Sequence, residues 1–476
     1  MDNVDEAAEE IKKRRKKRTI KVAITEGLMV LAVFLMVTAT TLIAIGYNVN
    51  PRNDWSVERT GLVQIQSFPT GATVNLDGEN LFAWTNMSRS MTEGEHQITI
   101  SKDGYDSWTK KISVTAGLYY RLAYPRLFLK ERKTEEVTDF SKIRTISFAK
   151  DGKQLLAIPE EGAVWRIWKI NEDAPSATEV DLSGLLPKEA EIRVIGWSGN
   201  SERVLVRAGQ KWVLIDVKRP KESVDLSEKF GMEFSDVKIA NDAASELFVL
   251  EGGNLRKIDI DTGEISGALI GGVESFSNLK SDVVYVAKAN EKGEFFTGIY
   301  RKGEEGGTAI GEYRKIEGVE NQTLVGIGEY FGEYYVVETS NSQIGIYKGA
   351  KLPSFGGDVE MNAVKVEEIG FVPEKIEVVG GGGLFVMSGE GQKAVFDVET
   401  GNVVKITTFA GAKWLDEFML YQIEDGKLEV MDFDGGNKRE IVENVAQKTE
   451  AKISKNGKWM YYLSNENKLM RTKIFE

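Results

Sequence analysis

Cysteine is absent from the 476 residues, and histidine occurs once, as His96. The first absence excludes disulfides, thiolate metal sites and cysteine nucleophiles together, so stability has to come from burial and backbone pairing. The second leaves no imidazole cluster for a metal and no Ser/His/Asp machinery of the usual kind. Concentrated positive charge is also missing from most of the chain. Residues 1–21 hold eight Lys/Arg against five Asp/Glu, yet the total charge is −12 and everything after Gly46 carries −14. An acidic C-terminal portion argues against a nucleic-acid partner, because phosphate binding needs clustered cations.

What is present is globular. The hydrophobic fraction is 42% and the aromatic fraction 9%, and the length calls for more than one folded unit. One long apolar run stands out, GLMVLAVFLMVTATTLIAIG from Gly27 to Gly46, with no charged residue. As a helix, those residues span roughly 30 Å, the thickness of a bilayer's hydrocarbon core. IKKRRKKR (11–18) lies before it and NVNPRNDW (48–55) after it. Cations stay on the cytoplasmic side, which puts the N-terminus inside and the remainder outside. A cleaved signal peptide would have a shorter apolar region and a small-x-small exit, of which Ala44-Ile45-Gly46 is a weak version. The opening stretch, DNVDEAAEEIKK, reads as a short solvated helix without an activity of its own. Ala39, Ala44 and nearby threonines are a sparse hint of the small-xxx-small contacts that a signalling span would use.

Residues 48–60 are polar, contain Pro51 and read as a stalk. A compact β pattern follows. LVQIQSF (62–68) alternates, 69–72 turn the chain, and TVNLDG (73–78) alternates again before ending in Asp-Gly. GEHQITISKDGYDSW (94–108) and KKISVTAGLYYRLAY (110–124) supply further strands. Four pieces in order carry a family resemblance: Ser67-Phe68-Pro69-Thr70-Gly71-Ala72, Val74-Asn75-Leu76-Asp77-Gly78, Gly94-Glu95-His96-Gln97-Ile98 and Lys102-Asp103-Gly104-Tyr105. The stretch resembles the PEGA domain, a small extracytoplasmic β-sandwich of bacterial surface proteins. LFAWTNMSR (81–89) departs from that family's Gly-x-Thr-Pro segment. The resemblance implies an adhesive or wall-associated module and no catalytic residues. Tyr105 and Trp108 are expected in its core. His96, with no second ligand nearby, is not expected to hold a metal.

From about Phe128 onward a self-similar unit returns every 36–52 residues. TISFAKDGKQLLAI (145–158), VIGWSGNSERVLVRA (194–208) and AKISKNGKWMYYLS (451–464) are its clear copies. Weaker ones begin at Val237, Glu274, Thr323, Lys375 and Ala412. Each holds a strand, a tight turn and a second apolar strand. Most continue with a third strand ending in an Asp/Gly turn, as at 255–263, 394–401 and 428–436, and then a polar fourth. Repeated units of four short antiparallel strands read as propeller blades, which bury their faces only against one another. The spacing predicts eight units, with seven as the alternative because the copies over 273–354 are divergent. The last unit, 450–476, has three strands. The polar segment ERKTEEVTD (131–139) is the expected fourth, closing the ring. Ala149-Lys150-Asp151-Gly152-Lys153 and Ser454-Lys455-Asn456-Gly457-Lys458-Trp459 resemble the Ser-Pro-Asp-Gly-Lys signature of TolB-like and WD-repeat-like propellers, with Lys at the proline position.

Motifs with chemical meaning are few. DIDTG, DVETG and DFDGG are too short for a calcium cage and recur where hairpin turns are needed. The glycines at 380–383 have no following helix or Lys-Ser/Thr partner, so they read as a loop and not a phosphate cradle. Trp165, Trp168, Trp197, Trp212 and Trp414 fall in strands and are expected to pack, the alternative being a platform for sugars. Asn86-Met87-Ser88 and Asn321-Gln322-Thr323 fit glycosylation sequons, which mean little if the protein is bacterial, as the resemblance to the PEGA domain implies.

The expected fold is an all-β ectodomain, a PEGA-like β-sandwich (61–127) and a β-propeller (128–476), on a single transmembrane α-helix (27–46). A cytoplasmic basic tail (1–26) precedes the helix and a stalk (47–60) follows it. The expected location is the cytoplasmic membrane, single-pass, with the C-terminal part extracytoplasmic. The expected role is non-enzymatic docking of an envelope protein or glycan, with membrane lipid contacted through 27–46. A propeller glycoside hydrolase acting on envelope polysaccharide is the alternative; its two carboxylates would face each other about 5–10 Å apart. No residue is singled out as catalytic, cofactor-binding or metal-binding, and no cofactor is expected.

Overall fold

The structure, a computed structural model, describes residues 2–50, 56–137, 142–187, 190–288, 295–302, 308–316, 323–349, 361–406, 411–416 and 418–476. It divides into two compact units, Met1–Phe128 and Leu129–Glu476.

The first unit opens with a helix over Asp2–Ala44. Within it Lys21–Ile43 has mean hydropathy 2.2 and none of it is buried, so it is long and apolar enough to cross a membrane. Two sheets follow. Tyr47–Asn50, Ser56–Ile65, Met87–Thr92 and Tyr119–Leu122 form one, the last strand parallel to the second. Glu79–Trp84, Thr73–Leu76, Gly94–Ser101 and Trp108–Val114 form the other. The inward positions of both sheets, Val63, Ile65, Val74, Ile98, Ile100, Trp108 and Val114, are buried, which is the core of a small sandwich. Tyr105 is buried with them. Residues expected to form a polar stalk instead pair as a hairpin, Tyr47 opposite Arg59 and Asn50 opposite Ser56. Backbone pairing needs no apolar side chains, so polar composition concealed it. Pro51 lies outside the described residues.

The second unit is a ring of eight sheets among the described residues, at 143–181, 192–225, 236–259, 273–316, 325–368, 375–406, 413–442 and 452–473. Each is an antiparallel meander, and we number them as blades 1–8. Burial explains the sequence of a blade. The second strands are apolar without alternation, QLLAIP, RVLVRA, ELFVLE and DVVYVAK, because a neighbouring blade covers each face. The fourth strand of blade 1, SATEVD, is exposed at five of its six positions because it is the rim. Blade 3 has three strands, and isolated bridges from Leu255 to Ile270 and Ile258 to Ile265 stand where the fourth would be.

Hydrophobic clusters join consecutive blades. Trp165, Ile167 and Val180 of blade 1 pack with Trp197, Val204 and Val213 of blade 2. Comparable clusters link blades 2 and 3, 3 and 4, 4 and 5, and 5 and 6. Lys393 of blade 6 reaches the Ala412 carbonyl at the start of blade 7, and the Ala451 N–H at the start of blade 8 donates to Tyr421 of blade 7. Another cluster joins Phe148, Leu155 and Trp168 of blade 1 to Trp459, Tyr461 and Leu469 of blade 8, so the circle closes. The closing strand is Thr134–Glu136, taken from the chain's entry into the ring, and it pairs Thr134 with Thr472 and Glu136 with Met470. Arg471 reinforces the closure. Its Nε donates to Glu135 at 2.6 Å, its Nη2 donates to the Asp173 carbonyl at 2.9 Å, and its guanidinium lies 4.0 Å over the Trp459 ring. The two signature turns also meet, the Lys455 N–H donating to the Gly152 carbonyl at 2.9 Å.

Candidate functional site

The first strand of every blade has one edge without a partner strand, and in a propeller that edge lines the axis. Its N–H and C=O groups need other partners, since an unpaired polar group away from water is costly. A cavity of about 930 Å³ lies there, lined by stretches 195–197, 235–242, 274–280, 324–325 and 374–379 from blades 2–6, and by Lys150. Long polar side chains cap the free edges across blade boundaries. The Lys238 ammonium donates to the Phe276 carbonyl, and Asn278 Nδ2 donates back to the Ile239 carbonyl at 2.8 Å. Lys413 reaches the Thr449 carbonyl and Lys452 the Ala149 carbonyl, each at 3.3 Å. Ser275 Oγ donates to the Thr323 carbonyl at 2.7 Å. The axial wall is therefore stitched by side chains that a linear reading assigns to solvent.

Charges at the cavity are mixed, and some of them are paired, whereas Lys150, Asp242, Lys280 and Glu374 line it outside the ion pairs of Lys238, Lys375 and Glu274. Lys238 lies 3.4 Å from Asp236, Lys375 lies 2.6 Å from Glu377, and Glu274 lies 2.7 Å from Lys288. Towards blades 6–8 the wall is richer in lysine. Burial pushes the Lys393 and Lys452 ammonium groups below their ordinary range, opposed at Lys452 by the Glu450 carboxylate. Burial raises Glu450, a shift opposed by Lys413, Lys452 and Lys375 and by its hydrogen bond to the Phe148 backbone. Among the described residues no group of three or more His, Asp or Glu converges as a metal cage.

The residues singled out in the sequence are dispersed. Trp165, Trp168, Trp197 and Trp212 are buried between blades, and Trp414 is half-buried. The Asp/Gly runs are hairpin turns: Asp259 accepts from the Asp261 and Thr262 amides at 2.9 and 2.8 Å, and Asp397 from the Glu399 amide at 2.9 Å. The glycine run has a packing role. A Cβ on Gly382, whose φ is +96°, would lie 2.1 Å from the Glu329 carbonyl oxygen of blade 5. His96 is satisfied at both nitrogens, 2.7 Å from Asp77 and 2.8 Å from the Thr92 carbonyl. Burial works against its charge, but the Asp77 hydrogen bond and the Thr92 carbonyl outweigh it and raise its pKa. Asn321 and Gln322 lie outside the described residues. The sequence pointed to no exposed aromatics, yet Phe82 is 89% and Trp84 68% exposed on the sandwich's edge strand. They sit inside LFAWTNMSR, and that departure from the family pattern was the one available signal.

A candidate membrane helix, a small β-sandwich and an eight-bladed propeller place the chain in a β-rich class whose folds host many unrelated functions. Comparison with known proteins agrees in kind. Residues 60–126 match the PEGA domain family. No curated protein matches the chain. Among solved structures it is similar to the C-terminal WD40 domain of Sif2, at 11% identity and a TM-score of 0.45, covering 72% of this chain and 99% of that one. It is also similar to the β-propeller domain of Myceliophteria thermophila Cps50 (Swd1), at 10% identity and a TM-score of 0.42, covering 72% and 100%. Kluyveromyces lactis Hsv2 matches at 11% identity and a TM-score of 0.41, covering 64% and 99%. These are likenesses of fold, and the strand pairing described above carries the propeller assignment by itself.

Proposed function

We propose that this chain is a single-pass protein of the cytoplasmic membrane whose extracytoplasmic propeller docks an envelope protein or glycan without transforming it. The basic tail (1–26) stays in the cytoplasm, and the acidic remainder faces outward. The observation that carries this reading is the character of the axial cavity. It is large enough for several side chains or a sugar unit, and three of its five lining carboxylates are held in ion pairs, Asp236 with Lys238, Glu377 with Lys375 and Glu274 with Lys288, while Asp242 and Glu374 line it outside those pairs. Paired carboxylates present a fixed pattern of charge to a partner. A hydrolytic pair needs one carboxyl free to hold a proton and another free to attack or activate water.

The test is capture from envelope extracts by the full-length protein in detergent, compared with a Lys238→Glu, Lys375→Glu double variant. A specific partner retained by the parent and lost by the variant supports docking at the axis. A partner retained equally by both, or turnover of purified wall polysaccharide by the parent, overturns it.

A further inference from the structure

The polar hairpin after the membrane helix leaves no free tether between helix and sandwich. The Gly46 carbonyl accepts the Thr60 N–H at 2.6 Å and the Thr60 hydroxyl at 3.1 Å, and the Gly117 N–H donates to the Thr60 carbonyl at 3.0 Å. The fit is close. A Cβ on Gly46, whose φ is +93°, would lie 2.3 Å from the Gly117 nitrogen, and one on Gly117 would lie 3.1 Å from the Ile45 carbonyl oxygen. The tight turn over 115–118, closed by the Leu118 N–H to the Thr115 carbonyl at 3.3 Å, is therefore seated on the end of the helix.

Its side chains are unusual for an exposed turn. Leu118 is 53% and Tyr119 54% exposed, beside Ile45 at 53% and Tyr47 at 36%. Nothing in the sandwich covers Leu118. Resting on the anchor reading above, we infer that this turn lies in the headgroup region of the bilayer, so that the sandwich is seated on the lipid surface rather than suspended above it. The dimensions support it. The charge-free run ends at Gly46, which places that residue at the edge of a hydrocarbon core about 30 Å thick. Headgroups extend roughly 5–8 Å further on each side. Leu118 is one residue, about 3.8 Å along the backbone, from the glycine that touches Ile45. An apolar leucine and two tyrosines at that depth match the chemistry of the interface, where amphipathic rings settle. The occupant is thus continuous with the lipid already around the helix.

The absence of cysteine makes the test clean. Single nitroxide labels are placed by Leu118→Cys, by Val33→Cys in the middle of the span, and by Asp103→Cys in an exposed turn of the sandwich. Each full-length variant is reconstituted in phosphatidylcholine–phosphatidylglycerol vesicles, and collision with oxygen and with a water-soluble nickel chelate is measured. The expected result is a Leu118 label several-fold less accessible to nickel than the Asp103 label, with a depth between those at 33 and 103. Adding Gly46→Val, which breaks the seat, should return the Leu118 label to the accessibility seen at 103. A Leu118 label as open to nickel as that at 103, with the label at 33 still buried in lipid, overturns the seating and leaves the anchor standing. Nickel access at 33 overturns the anchor and the seating with it.

Discussion

Removing the arginine that fastens the closing strand should loosen the ring at one place. In Arg471→Met the aliphatic stem is kept and the guanidinium is lost, together with its bonds to Glu135 and the Asp173 carbonyl and its stacking on Trp459. Breaking a buried ion pair from one side costs about 3–5 kcal/mol. Arg471 is 9% exposed at its side chain but Glu135 is 29% exposed, which selects the low end, so we take about 3 kcal/mol in total. At about 2.1 cal/mol/K of unfolding entropy per residue over a unit of roughly 350 residues, that lowers the melting temperature by about 4 °C. The assay is thermal unfolding of the full-length protein, with amide exchange read at Thr134, Glu135 and Glu136. Those amides should lose protection before any others in the ring. Burial opposes the charge on Glu135, but Arg471 and Lys133 hold its pKa below the usual value. The contribution of the pair is thus complete above the ordinary carboxylate range and fades as pH falls through the depressed pKa. The deficit of Arg471→Met should shrink accordingly in acid. An unchanged melting temperature, with protection retained over 134–136, would refute the claim that Arg471 holds the closure.

Two further outcomes are expected. The Ala451 N–H donates to the buried Tyr421 hydroxyl at 2.9 Å across blades 7 and 8, so Tyr421→Phe should cost about 1–3 kcal/mol in denaturant unfolding by orphaning that amide. A loss below a few tenths would mean that water replaces the hydroxyl. His96, as the single histidine, gives one imidazole signal, and its titration midpoint should lie above 6.5. Because its folded pKa is raised, its stabilisation is full below the ordinary value and lost as pH rises through the shifted one; His96→Gln should therefore destabilise more in mild acid than in mild base. A midpoint at or below 6.5 would sink this.

The propeller was legible because its physics repeats. The strands QLLAI, RVLVRA and ELFVL hold the continuous apolar runs LLAI, VLV and LFVL, too short for membrane spans, and each follows a turn residue at positive φ, Gly152, Ser201 and Ala244. A polar segment at 131–139 made sense only as the missing strand of the last unit, and the Thr134–Glu136 pairing follows from that counting. The axis was not legible. Nothing in the sequence around Lys238, Lys413 and Lys452 marks them as wall residues, and only the ring turns them toward a neighbouring carbonyl. The hairpin at 47–59 was hidden for a related reason: what holds it is main-chain pairing at a sheet edge, and Asn48, Asn50 and Arg59 give no apolar rhythm to betray it.

Ring closure by Thr134–Glu136 has a temporal consequence. A ribosome makes that strand before blade 1 and makes its partner, Leu469–Lys473, hundreds of residues later. Until those last residues emerge, one face of the first blade, with Leu155 and Trp168 on it, has nothing to shield it. A nascent or prematurely terminated chain would therefore carry an adhesive flank, and a quality-control protease has a physical basis for telling it from the finished molecule.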